Sequence, residues 1–116
     1  MALAALLATD VAIAATGTVR TKVYGVLTGS NRSYGGCMVQ IAPISVDLSL
    51  NCKNQSDQRT WLTMDCNGTR LAPSVSSNNL KQAQLALLTK DTVTITVDDS
   101  FRAAGYCLGT QIIMFR

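Results

Sequence analysis

The chain holds seven aspartates, ten lysines and arginines, and no glutamate or histidine, for a formal net charge of +3. The commonest general acid and base side chains are missing, so catalysis would fall to aspartate, the cations and the hydroxyls. Asp65 with Ser74 or Ser100 makes no triad, because no histidine exists to take the serine proton and no lysine stands beside either serine. Neither a G-x-S-x-G elbow nor a Walker-type glycine loop is present. Asp98-Asp99 falls short of the roughly six to eight oxygen ligands that Ca²⁺ takes, and reads as a solvated turn. Cys37, Cys52, Cys66 and Cys107 contain no C-x-x-C pair, and a zinc site would have to gather four thiolates from distant segments. The expectation is a chain without enzymatic chemistry, metal or cofactor.

What remains is binding. A saccharide offers hydroxyls for hydrogen bonds and C–H faces for stacking, so its site needs polar side chains beside an aromatic ring. Asn31, Arg32, Ser33 and Tyr34, on the Gly/Ser/Asn-rich stretch 28–36, supply such a set, with Tyr106 near the last turn. The competing reading is structural: the stretch only turns, and Tyr34 covers one end of the domain. Trp61 stands beside Leu62 and Met64 and reads as core. Six cations between Arg20 and Arg70 invite a nucleic-acid reading, but single-strand sites interleave cations with several stacking aromatics, and aromatic content is 5%. No nucleic-acid partner is expected.

Residues 1 to 14 contain the apolar run Ala2–Ala8 and end in Ala12-Ile13-Ala14, the small-x-small spacing that a signal peptidase accepts. They read as a signal peptide cleaved after Ala14, with a basic leading region cut off by an internal start at Met1. Residues 15 to 116 then form one domain, the usual outcome for about 100–150 residues. Without residues 1 to 14 the chain loses only Asp10, leaving ten cations against six aspartates and a formal +4. No other segment approaches the roughly 18 apolar residues of a membrane span. A secreted or periplasmic protein with an even cysteine count is expected to carry two disulfides.

The elements that would position these residues follow from periodicity. Residues 18–27 alternate as a half-buried strand, and residues 37–42 begin a second. Pro43 interrupts it, and the alternation of Ile44, Val46, Leu48 and Leu50 is either the same strand past a bulge or another one. Residues 60–66 form a third strand. Ser76 or Ser77 is placed to cap a helix over residues 80–89, with Leu80, Ala83, Ala86 and Leu87 on one face and Leu85 and Leu88 widening it. Val93, Ile95 and Val97 alternate with threonines as a fourth strand, residues 98–106 turn, and residues 107–115 close as a fifth. The order β-β-β-α-β-β predicts a mainly β fold with one helix, a small OB-like barrel whose closure protects strand edges, or alternatively an open α+β sheet. If the second and third strands form a simple hairpin, Cys37 faces Cys66 and Cys52 is left for Cys107; a second strand running to Leu50 would favour Cys52 with Cys66.

The run Ala83-Gln84-Leu85-Ala86, the stretch 93–100 (VTITVDDS), Gly105-Tyr106-Cys107 with Ile112, and Cys52 followed by residues 61–68 (WLTMDCNG) resemble small secreted bacterial proteins of unassigned function. The resemblance spans residues 17 to 116, and that group is similar in layout to the B subunits of subtilase-cytotoxin-like and pertussis-like toxins. It implies an OB fold, a homo-oligomeric ring, and surface glycans as ligands. The sugar-contacting positions of those subunits have no residue-by-residue match here. A partner protein in the same compartment, met through a strand edge, is the other expectation.

Overall fold

The computed structural model describes residues 15–29, 32–45, 48–53 and 59–115; residues 1–14, expected as a signal peptide, and Asn31, Val46 and Asp47 lie outside them. The elements run β1 (Thr16–Thr21), β2 (Val23–Thr28), β3 (Cys37–Ile41), β4 (Thr60–Thr63), α1 (Pro73–Thr89), β5 (Thr92–Ala103) and β6 (Tyr106–Phe115), with a short 3-10 turn at Arg32–Tyr34. All six strands join one mixed sheet in the order β1-β5-β6-β4-β3-β2, in which only β4 and β6 run parallel. The protein is mainly β with one helix, and the sheet is not closed into a barrel.

The expected first strand is two strands. β1 pairs with β5 and β2 with β3, so they form opposite edges of the sheet although Lys22 alone separates them in sequence. One residue spans only a few ångströms, so the sheet must curl until its two edges meet at this corner. Thr21 holds the corner: its hydroxyl accepts the Ala42 N–H at 3.0 Å and donates to the Lys22 carbonyl at 2.9 Å.

The second strand ends at Ile41, and the described residues between it and β4 form no strand. Ile44 is buried, and Leu48 and Leu50 pack on the core from a non-strand segment, touching the space beside Gly17 of β1. Apolar alternation there reports burial without pairing. β4 is likewise shorter than expected and ends at Thr63, while β5 runs on through the expected turn as far as Ala103. A register irregularity between Asp98 and Arg102 absorbs Asp99, Ser100 and Phe101, leaving Ala104-Gly105 as the turn into β6.

The helix starts seven residues before its expected beginning at Leu80. Pro73 occupies its first turn and Ala72 its N-cap position, with no side-chain cap, so neither Ser76 nor Ser77 caps it. The buried face is Ser76, Asn79, Ala83 and Ala86. Ser76 Oγ donates to the Asp65 carbonyl at 2.8 Å, and Asn79 Nδ2 donates to the Thr110 carbonyl at 3.1 Å. These bonds keep two buried polar groups from being orphaned, and they are why a Ser/Asn-rich run is helical. The two alanines allow close approach to the sheet, and α1 packs against β2, β3 and β6. Leu85 and Leu88 stay exposed, at 48% and 79%.

One sheet face carries the core: Val39, Ile41, Leu62, Val93, Ile95, Val97 and Ile112, with Met64 and the helix alanines. Each fully buried aliphatic side chain adds about 1.5–3 kcal/mol. Gly109 lets the sheet close tightly on Met64, since a Cβ would stand 3.0 Å from its sulfur. Two disulfides staple the sheet, Cys37–Cys66 and Cys52–Cys107, with Cα–Cα distances of 5.5 and 5.3 Å. With β3 ending at Ile41, its start lies beside the end of β4, and the Met64 N–H donates to the Cys37 carbonyl at 3.1 Å.

Candidate binding surface

Cross-strand partners share a face, so pairing sorts side chains into inner and outer sets. Val39 and Leu62 are paired and belong to the core; their neighbours Gln40 and Trp61 are paired and point the other way. Gly25 of β2 pairs with Gln40, so Gly25, Gln40 and Trp61 form a row across the outer face. A Cβ at residue 25 would lie 3.3 Å from Gln40 Oε1 and 3.7 Å from the indole, so glycine leaves space beside the ring. Trp61 is partly exposed and outside the core cluster, which corrects its assignment to the core. Leu62 and Met64 are both fully buried, but they follow Trp61 at odd spacing and so occupy the face it does not.

Two cation–aromatic pairs flank this row. The Arg59 guanidinium lies 3.9 Å from the centre of the Tyr24 ring, at the irregularity in the β2–β3 register. The Lys53 ammonium lies 5.0 Å from the centre of Tyr106, which starts β6 beside β4. Such contacts are worth about 0.5–1 kcal/mol at exposed sites and fix where a flexible cation points. Among the described residues no carboxylate pairs with Arg59 or Lys53. Lys53 is itself held in place: its N–H donates to the Gly105 carbonyl at 2.8 Å, and its carbonyl accepts the Thr60 hydroxyl at 2.9 Å.

The residues singled out in the sequence do not converge. Tyr34 ends the 3-10 turn, and its carbonyl accepts the Thr63 hydroxyl at 2.8 Å, which puts it where β4 finishes. Tyr106 lies where β4 begins, since Thr63 pairs with Leu108 two residues further along β6. The strand's length therefore separates the two tyrosines. Ser33 is exposed on the same turn, Arg32 begins it, and Asn31 lies outside the described residues. Beneath the turn Thr63 and Met38 are fully covered, and Gly35 at φ 77° brings the chain against Thr63 where a side chain would clash. That end of the outer face is closed over; the Trp61 end is open. Tyr24, Gln40, Lys53, Arg59 and Trp61 were missed, and the signal for them was the odd–even alternation around Trp61.

Two carboxylates are committed to the backbone. Asp65 is fully buried and accepts the N–H groups of Thr69, Arg70 and Leu71 at 3.0, 2.6 and 2.7 Å. Asp99 accepts the N–H of Ala15 at 2.8 Å and of Asn51 at 3.0 Å. These two bonds, with the nearby Arg102 charge adding to them, hold its carboxyl below the usual aspartate range. Among the described residues no group of three or more His, Cys, Asp or Glu could hold a metal ion, and no helix is long and apolar enough to cross a membrane. Comparison with known proteins finds no match, whether among family models, curated proteins or solved structures.

Proposed function

We propose that the protein is a secreted, non-enzymatic binding module of OB-like architecture that takes carbohydrate on the outer face of β3 and β4. The observation that carries this reading is the partly exposed Trp61 beside Gln40 and Gly25, flanked by Arg59 on Tyr24 and Lys53 on Tyr106. The indole offers a flat apolar surface for a sugar's C–H face, and the Gln40 amide and the fixed cations offer hydrogen bonds to its hydroxyls.

The architectural part rests on strand order. If β1 and β2 are counted as one bent strand, the sheet has five strands, its first strand neighbours both the second and the fourth, and its third runs parallel to the fifth. A partly open Greek-key barrel of five strands has this plan, and such barrels bind oligosaccharides and oligonucleotides on the face of strands 2 and 3, here β3 and β4. Two disulfides fit an oxidising compartment. The absence of histidine and glutamate, and the full engagement of Asp65 with backbone, support a module that binds without reacting.

The test is a glycan array with the oxidised protein, followed by titration of Trp61 fluorescence with each hit. Binding that quenches the indole, and that falls at least tenfold in Trp61→Ala, is expected. Quenching by oligonucleotides but by no glycan would replace the reading with single-strand recognition. Assembly into a ring is the companion expectation: light scattering giving a multiple of the protomer mass would make weak sites effective through avidity, whereas a monomer would remove the ring.

A further inference from the structure

Between the start of β2 and the C-terminal end of α1 lies a half-open recess of about 400 Å³ lined by Lys22, Val23, Tyr24, Leu87 and Lys90. We propose that this recess is a second site, distinct from the Trp61 face, that binds a small organic anion with an apolar body, such as an aliphatic carboxylate.

Its size falls in the range of small-molecule sites, about 300–1,000 Å³. Val23, Leu87 and the Tyr24 ring provide apolar walls, and the lining side chains that carry charge are both lysines. Among the described residues no carboxylate lines it, so an anionic guest meets two lysines.

The backbone explains why both lysines are there. Lys22 is the corner residue between β1 and β2, and Lys90 is the C-cap of α1 in the left-handed conformation, φ 61°. Lys22 Nζ donates to the Lys90 carbonyl at 2.6 Å, so the corner of the sheet is tied to the end of the helix across the recess. A helix C-terminus carries partial negative charge that would repel an anion. The Lys22 ammonium neutralises it and keeps N–H groups to spare, while Lys90, which also lines the recess, brings a second positive charge. Arg59, on the Tyr24 ring at 3.9 Å, adds positive potential from nearby.

Lys90 also gives a clean test. Lys90→Gly removes the ammonium, keeps the carbonyl that Lys22 uses, and suits the left-handed backbone better than lysine does. Calorimetric titration of the full chain with sodium octanoate, with 1-octanol and with sodium acetate reads the site directly. Octanoate is expected to bind at least tenfold more tightly than either, to weaken about tenfold or more in Lys90→Gly, and to bind Trp61→Ala as it does the parent. Octanoate binding that Lys90→Gly leaves unchanged would overturn the proposal, as would octanol binding equally well or no octanoate binding at millimolar concentration. Because Trp61→Ala abolishes only the carbohydrate site, failure of one site is distinguishable from failure of the other.

Discussion

Where β4 finishes, the Cys37–Cys66 bridge, the Thr63 hydroxyl on the Tyr34 carbonyl and the buried Asp65 carboxylate pack beneath two loops. Where β4 begins, the Cys52–Cys107 bridge is buried on one side as the first bridge is, while the Asp99 carboxylate and the Lys53 backbone bonds do comparable work at the surface. Each end has one disulfide and one aspartate gripping backbone N–H groups. At the first end Asp65 and Thr63 are enclosed and the sheet face above them is covered by the 3-10 turn, whose Ser33 is exposed. At the second end the same parts hold a short exposed segment steady, and its cation and aromatic ring remain presented. The two bridges are alike in burial; the ends differ in the burial of their aspartates and of the sheet face beside them.

The largest expected effect comes from the bridges themselves. Loop closure assigns about 4 kcal/mol to Cys52–Cys107, whose cysteines are 55 residues apart, and about 3.5 kcal/mol to Cys37–Cys66, which are 29 apart. Urea unfolding of the two paired Cys→Ala variants should give losses of that size. Hydrogen exchange separates the ends: the Lys53 N–H, bonded to the Gly105 carbonyl, should lose protection without Cys52–Cys107 and keep it without Cys37–Cys66. Equal loss of protection in both variants would mean that the two ends open as one unit.

Asp65→Ala comes next, at about 3 kcal/mol, because three N–H groups lose a charged acceptor. Asp65→Asn should cost about 2 kcal/mol, since an amide keeps one acceptor oxygen but turns a donor toward the same N–H groups. Urea midpoints check both values. A cost under about 0.5 kcal/mol for the asparagine variant, the level of ordinary surface changes, would place Asp65 with its exposed counterpart and erase the contrast.

The sequence showed the strands, the single helix and the two-disulfide framework, because alternation, alanine spacing and an even cysteine count are local signals. It hid what depends on partners. Ser76 and Asn79 read as loop residues because their hydrogen-bond acceptors, at Asp65 and Thr110, are remote in sequence. The break at Lys22 was invisible because β1 and β2 share one pattern and differ only in the strand each pairs with. Trp61 was assigned by its neighbours' hydrophobicity when parity decided its face. The loop residues Ser33 and Tyr34 could be named as polar and aromatic, but only the fold shows that Tyr34 lies a strand's length from Tyr106.

The smallest expected effect is at Asp99, and it bears on the chain's start. Its folded carboxyl is held below the ordinary value, so the stability it adds is complete above the unfolded value of about 4 and is lost as pH falls through the folded one. The stability gap between parent and Asp99→Asn should therefore shrink in acid. Cleavage after Ala14 would add a second limb, because the Ala15 nitrogen, 2.8 Å from Asp99 Oδ1, would become an α-ammonium group. Pairing raises the pKa of that group above its unfolded value of about 8, so its contribution is full below about pH 8 and is lost as pH rises through the folded value. A chain beginning at Ala15 should show the gap narrowing at both ends of the pH range, and the uncleaved chain only in acid. Chemical denaturation of both forms between about pH 3 and 10 reads the difference, with the intact mass of each form fixing its first residue. Identical profiles would leave Asp99 as a backbone clasp alone, the exposed equivalent of Asp65.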